Sequence, residues 1–144
     1  MISIVIPAHN EEAVIERCLR SLTEGAAPGE VEVVVACNGC TDRTAELARG
    51  FGEPVRVVET QTASKTAGLN LGDNAATSFP RCYIDADVEV DLATVRKVAA
   101  VLASGEALAA APKMRVDLSG SSWAVRAFYA IWLRQPYHGP GMIG

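Results

Sequence analysis

The sequence predicts a single α/β domain in which a mostly parallel sheet is covered by helices on both faces. Three observations predict it. Residues 2–6 and 31–36 are continuous apolar runs rich in β-branched residues, as strands buried on both faces require. Apolar stripes at helical spacing alternate with these runs along the chain. Finally, 144 residues, 49% of them hydrophobic and 21% charged, are enough for one core and show neither a repeat nor a low-complexity linker.

Each element follows from local chemistry. Residues 2–6 form the first strand, which Pro7 is expected to end. Asn10 is expected to cap the next helix, with Glu11 and Glu12 in its first turn facing the positive end of the helix dipole. Val14, Ile15, Cys18, Leu19 and Leu22 make its apolar stripe, and the stretch from Gly25 to Gly29 breaks it. The valine-rich run 31–36 is a second strand. After the turn Cys37-Asn38-Gly39-Cys40, a helix starts at Thr41 or Asp42 and reaches about Gly50.

Residues 55–59 give a short third strand, and 64–77 a helix weakened by its glycines. Residues 82–84 form a fourth strand that runs into Asp85-Ala86-Asp87. Asp91 caps a helix carrying Leu92, Val95, Val98 and Leu102 on one face. A fifth strand is expected over 108–116, then an amphipathic helix over 123–134. Its stripe of Trp123, Phe128, Ile131 and Trp132 reads as core or a subunit contact in a homo-oligomer. Arg126 and Arg134 beside the tryptophans also suit peripheral contact with a membrane face. Residues 135–144, rich in Pro and Gly, read as a loop entering further chain, so 1–144 is expected to be one domain incomplete at its C-terminus.

Composition excludes several classes. Thirteen Lys plus Arg against 17 Asp plus Glu give a net charge of −4, which argues against nucleic-acid binding by bulk positive charge. No apolar run approaches the roughly 18 residues of a membrane span. The first seven residues lack the basic start and small-residue cleavage site of a signal peptide. Cys18, Cys37, Cys40 and Cys82 are expected to be reduced, in a cytoplasmic protein that sits at most peripherally on the inner membrane face.

Parallel α/β sheets bind ligands beyond the C-terminal ends of their strands. The polar groups there are His9, Asn10 and Glu11 after the first strand, Asn38 after the second, and Asp85 and Asp87 after the fourth, with Lys65 opening the third helix. Asp85 and Asp87, two apart on an extended segment, are expected to point the same way. Paired hard oxygen ligands suit Mg²⁺ or Mn²⁺ that also touches a phosphate. An EF-hand is excluded, because Val90 and Arg96 stand where it needs glycine and glutamate. Cys37-x-x-Cys40 between strand and helix leaves a thioredoxin-like redox role as an alternative. Lys65-Thr66 has no glycine-rich loop before it, which excludes a Walker-type site. His9 and His138 have no partner in sequence that would make either a base.

Taken together, Ile4-Val5-Ile6-Pro7-Ala8-His9-Asn10-Glu11-Glu12, Asn38-Gly39-Cys40-Thr41-Asp42-Arg43-Thr44, Lys65-Thr66-Ala67-Gly68-Leu69-Asn70 and Asp85-Ala86-Asp87 resemble the family 2 glycosyltransferases of Rossmann-like GT-A fold. The resemblance covers residues 2 to about 115. It implies transfer of a sugar from a nucleotide diphosphate sugar, UDP- or GDP-linked, to an acceptor hydroxyl, with inversion and a divalent cation. It implies that Pro7, Ala8, Asn10, Glu11, Asn38, Lys65, Asp85 and Ala86 border the donor, and that Asp85 and Asp87 hold the metal. Asn38 stands where the family commonly has an acid touching the base. No residue matches the family's general base, which is expected beyond Gly144; Asp117 is the only nearby acid. A non-catalytic nucleotide-sugar-binding module is the alternative.

Overall fold

The structure, a computed structural model, describes residues 1–112, 116–132 and 134. Strand β1 (Ile2–Ala8) leads to helix α1 (Ile15–Thr23), then β2 (Val31–Asn38), α2 (Thr44–Arg49), β3 (Val55–Thr60), α3 (Lys65–Ala75), β4 (Arg81–Tyr83), α4 (Leu92–Ala103) and α5 (Trp123–Trp132). Among the described residues the sheet has four strands, all parallel, in the order β3-β2-β1-β4.

Alternation along the strands builds the layers. Ile4, Ile6 and Ala8 of β1 and Val33, Val35 and Cys37 of β2 pack with Ile15, Cys18, Leu19 and Leu22 of α1, Ala45 and Ala48 of α2, and Leu92 and Val95 of α4. Val5 and Val34 face the other way, against the end of α3. Helices α1 and α2 therefore cover one face and α3 the other, and the connections reverse direction between β1 and β4. Such a reversal opens a crevice at the strands' C-terminal ends.

Helix α3 lies unusually close to the sheet because its buried face is made of Gly68 and Gly72. A Cβ at Gly72 would collide with Cγ1 of Val5, and one at Gly68 would stand 2.8 Å from Oδ1 of Asn38. The glycines that weaken the helix on propensity alone are the ones that let it dock.

Several expectations are corrected. Pro7 does not end β1 but lies within it, paired with Ala36. Val5 O accepts from Ile84 N, so odd-numbered residues of β1 turn their backbone polar groups toward β4. Beyond Tyr83 that side has no ladder, and Pro7 forfeits no hydrogen bond. Asn10 does not cap α1. The first turn is closed by Glu11 O, which accepts from Val14 N and Ile15 N, and α1 starts at Ile15 with no side-chain cap. Helix α2 begins at Thr44, whose N–H donates to Asp42 Oδ1 at 3.0 Å. Asp91 does cap α4, its carboxylate accepting from Thr94 N at 2.7 Å.

No strand forms over the described part of 108–116, where Leu108 is fully exposed; residues 113–115 lie outside the described residues. An edge strand there would need an apolar face to bury, and Ala109–Ala111 offer little area. Helix α5 is present but has no buried residue: Trp123, Phe128 and Ile131 are 82%, 58% and 67% exposed, so nothing among the described residues covers this stripe. The loop expected over 135–144, with His138, lies outside the described residues. No helix among the described residues is long and apolar enough to cross a membrane.

Candidate functional site

The rim at the C-terminal ends of β1, β2 and β4 is built by loops that bind one another. Asn10 adopts a left-handed φ of 57°, which asparagine tolerates better than other non-glycine residues. This turns its side chain to the β2–α2 loop, where Oδ1 accepts from Thr41 N at 2.8 Å. Glu11 N donates to Thr44 Oγ1 at 2.8 Å, Glu12 N to Asp42 Oδ2 at 3.1 Å, and Arg43 N to Glu12 Oε2 at 3.1 Å. The β1–α1 and β2–α2 loops are thereby fixed as one unit. Cys40 Sγ adds a contact to Ala8 O at 3.3 Å.

His9 Nδ1 lies 2.6 Å from the backbone O of Asn38. A carbonyl only accepts, so Nδ1 carries the proton and Nε2 is the ring's remaining nitrogen. Asn38, the last residue of β2, is 4% exposed, and its amide rests against Gly68. Gly39 follows with φ 66° and donates its N–H to Thr60 O at 2.8 Å; a Cβ there would stand 2.9 Å from Ala63 Cβ. Only glycine serves both the conformation and the close approach.

Lys65 opens α3 behind the cap Ser64, whose side chain accepts from Ala67 N. Its Nζ lies 2.7 Å from Oδ1 and 2.8 Å from Oδ2 of Asp85. The sequence reading brought Lys65 and Asp85 to one edge of the sheet, and the structure places them in contact. Asp85 and Asp87 do not lie on the extended segment that their spacing of two predicts. Strand β4 ends at Tyr83, and Val88 N donates to Asp85 O at 3.1 Å, so both acids lie in a turn rather than on extended chain. Ala86 between them is 3% exposed and packs in the core under α1 and α4, which leaves Asp87 at the surface.

The charges nevertheless converge. The Glu11 carboxyl is held above its ordinary 4.5, first by burial and then by the negative fields of Asp87, Asp42 and Asp85, with His9 opposing. Among the described residues no three His, Cys, Asp or Glu side chains come close enough to enclose a metal ion. The carboxylates of Glu11, Asp85 and Asp87 therefore form no closed ligand set, and that of Asp85 faces the Lys65 ammonium.

The surroundings of two other candidates weigh against them. Burial, then the neighbouring Cys40, pushes the Cys37 thiol up to about 12, the reverse of what a reactive redox cysteine needs. All four cysteines are free thiols. Asp117 accepts from Ser119 N at 2.8 Å, and this hydrogen bond holds its carboxyl below the ordinary value, which does not suit a general base. The sequence reading missed Thr44, Asp42 and Thr41 as the residues that lock the two loops. It also missed the packing role of Gly68 and Gly72, although their spacing of four puts both on one helix face.

Residues 3–140 match the family model described as Glycosyl transferase family 2. A 4,4'-diaponeurosporenoate glycosyltransferase of Staphylococcus aureus (strain USA300) is 36% identical over 91 residues, 60% of this chain and 24% of that protein. This chain thus spans about a quarter of the length of that curated relative. Glucosyl-3-phosphoglycerate synthase of Mycobacterium tuberculosis superposes with a TM-score of 0.64 at 31% identity, covering 74% of this chain and 41% of the synthase. A mannosyltransferase from Pyrobaculum calidifontis, solved in complex with GDP-Man and Mn2+, gives a TM-score of 0.64 at 27% identity over 71% of this chain and 32% of its own. The synthase has also been solved in complex with Mn2+, UDP and phosphoglyceric acid (TM-score 0.59, 29% identity, 71% of this chain and 38% of that one). With its parallel sheet reversing between β1 and β4, the chain has the GT-A fold, and it belongs to the family 2 glycosyltransferases.

Proposed function

We propose that this chain is the donor-binding part of an enzyme that moves a sugar from a nucleotide diphosphate sugar to an acceptor hydroxyl. The observation that carries the reading is the Lys65–Asp85 contact at the reversal between β1 and β4, with Glu11 within the negative fields of Asp87 and Asp85. A diphosphate needs both kinds of group: a cation of the protein and acids that hold a divalent ion. Structural neighbours complexed with UDP or GDP-Man and Mn2+ support the same reading.

The residues take distinct parts. Pro7, Ala8 and Asn10 form the floor and edge of the crevice, fixed by the bonds to Thr41 and Cys40. Asn38, 4% exposed with its amide against Gly68, would border the nucleobase from beneath rather than present a free hydrogen-bonding edge to it. Lys65 neutralises diphosphate charge, and Ala86 holds the turn that positions its two acidic neighbours. Asp85 and Asp87 would ligate Mn²⁺ or Mg²⁺, which supplies charge neutralisation of the leaving diphosphate. Attack by the acceptor hydroxyl with inversion requires a base within hydrogen-bond reach. Among the described residues Asp117 does not qualify, so this chain alone is expected to bind donor and turn over slowly or not at all.

The test is a thermal-shift panel of UDP-, GDP- and dTDP-sugars with and without Mn²⁺. A ligand at a hundred times its Kd stabilises the native state by about 2.7 kcal/mol, roughly 5–10 °C for a domain of this size. A rise with one nucleotide class, enlarged by Mn²⁺, supports the reading. No shift with any of them overturns it.

A further inference from the structure

The contact between Lys65 and Asp85 puts a cation on the carboxylate assigned to a metal. The ammonium straddles both oxygens, at 2.7 Å and 2.8 Å, and only 27% of the Asp85 side chain is exposed. The two backbones are fixed: Lys65 is the first residue of a capped helix, and Asp85 opens a hydrogen-bonded turn. The lysine stem is the movable part, and its own side chain is 55% exposed. A compact ammonium on a four-carbon stem exchanges one oxygen acceptor for another without moving backbone.

We infer that Lys65 is a counter-ion switch that makes metal binding at Asp85 depend on the nucleotide. This rests on the donor-site reading above. Without nucleotide, Lys65 neutralises Asp85, occupies both of its oxygens and repels a divalent ion. A diphosphate, carrying more charge than one carboxylate, draws the ammonium away and leaves Asp85 open. The metal and the nucleotide then strengthen each other by more than their direct contact, and by linkage the factor is the same in both directions. Lys65 is thereby a determinant of binding order as well as a phosphate contact. A purely structural clip between α3 and the end of β4 would behave differently, because removing it frees no ligand that a metal uses.

The experiment is Mn²⁺ binding to the 144-residue chain, read from the electron paramagnetic resonance signal of the free ion, alone and with UDP or GDP. Lys65→Met and Lys65→Gln are expected to bind Mn²⁺ alone about three- to tenfold tighter than wild type, whereas Lys65→Arg keeps the wild-type affinity. The factor by which UDP or GDP tightens Mn²⁺ binding is expected to be smaller in Lys65→Met and Lys65→Gln. Equal or weaker Mn²⁺ binding by both neutral variants, with nucleotide still tightening it in wild type, overturns the switch and leaves the donor site standing. Wild type whose Mn²⁺ binding no nucleotide changes overturns the donor-site reading and the switch together.

Discussion

Gly68 and Asn38 touch with no side chain between them: a Cβ built on the glycine would stand 2.8 Å from the asparagine's Oδ1. The backbone of α3 is thus the wall against which the buried amide at the end of β2 is held. One turn on, Gly72 does the same against Val5. The distance of α3 from the sheet, and with it the position of Lys65, is set by these two glycines.

Gly72→Ala is expected to destabilise the protein despite its better helix propensity. Alanine contributes about 1 kcal/mol in a helix interior, but forcing a methyl group into a packed core costs about 1–3 kcal/mol. Val5 is β-branched, fully buried and unable to swing aside. A net loss of up to about 2 kcal/mol, up to roughly 8 °C in Tm, should appear in thermal melts. A variant as stable as wild type would show that α3 can retreat from the sheet.

Asp87→Asn addresses the metal. The side chain is at the surface, so the ligand-free melting temperature should move little, by an amount matching about 0.5 kcal/mol or less. The part of the nucleotide-induced shift that depends on Mn²⁺ should fall by at least about half, because one charged oxygen ligand becomes a neutral amide. An unchanged Mn²⁺ increment would remove Asp87 from the ligand set.

The tie between α4 and the α1–β2 loop sets an acid limit. Arg96 reaches Glu30 through Nε at 2.6 Å and Nη2 at 2.8 Å, and Nη2 also donates to Gly25 O at 3.1 Å. The Arg96 hydrogen bond, helped by Ala27 N–H, lowers the Glu30 carboxyl from 4.5 to about 2. A depressed carboxyl contributes stability above its unfolded value and loses it as pH falls through the folded one. Wild type should therefore be more stable than Glu30→Gln above pH 4.5, with the gap closing as pH drops toward 2. A gap that stays constant over that window would contradict the assignment.

The cysteines give a readout of the apolar layer under the site. Burial raises Cys18 to about 11 and Cys37 to about 12. Ellman's reagent at pH 8 should label both more slowly than the same residues in denatured chain, on the order of a hundredfold or more. Fast labelling of Cys37 in folded protein would revive the redox alternative.

Much of this was readable in the residues, and the failures have a common cause. Strands β1 and β2 announced themselves because burial on both faces demands uninterrupted β-branched runs, and Asp91 because a cap acts within its own turn. Pro7 misled because its effect depends on where a neighbouring strand stops, which is set some 75 residues later in the chain. Asn10 misled likewise: its side chain serves Thr41 on another loop rather than the helix it precedes. Asp85 and Asp87 were recognisable as a pair of acids, but their geometry is that of a turn fixed by the burial of Ala86. The Lys65–Asp85 contact joins elements that only the sheet order brings together. Local chemistry was legible, and partners across the fold were not.

The order β3-β2-β1-β4 has a consequence for how the chain assembles. Of the four strands β1 is synthesised before the others, yet its second edge is closed only when β4 is made, with Ser3 meeting Arg81 and Val5 meeting Tyr83. Until then one edge of a strand apolar but for Ser3 is bare, the kind of template on which nascent chains stick to each other. Synthesis must pass residue 83 before that hazard is removed, so the segment that seals the sheet is also the one that delivers Asp85 to Lys65.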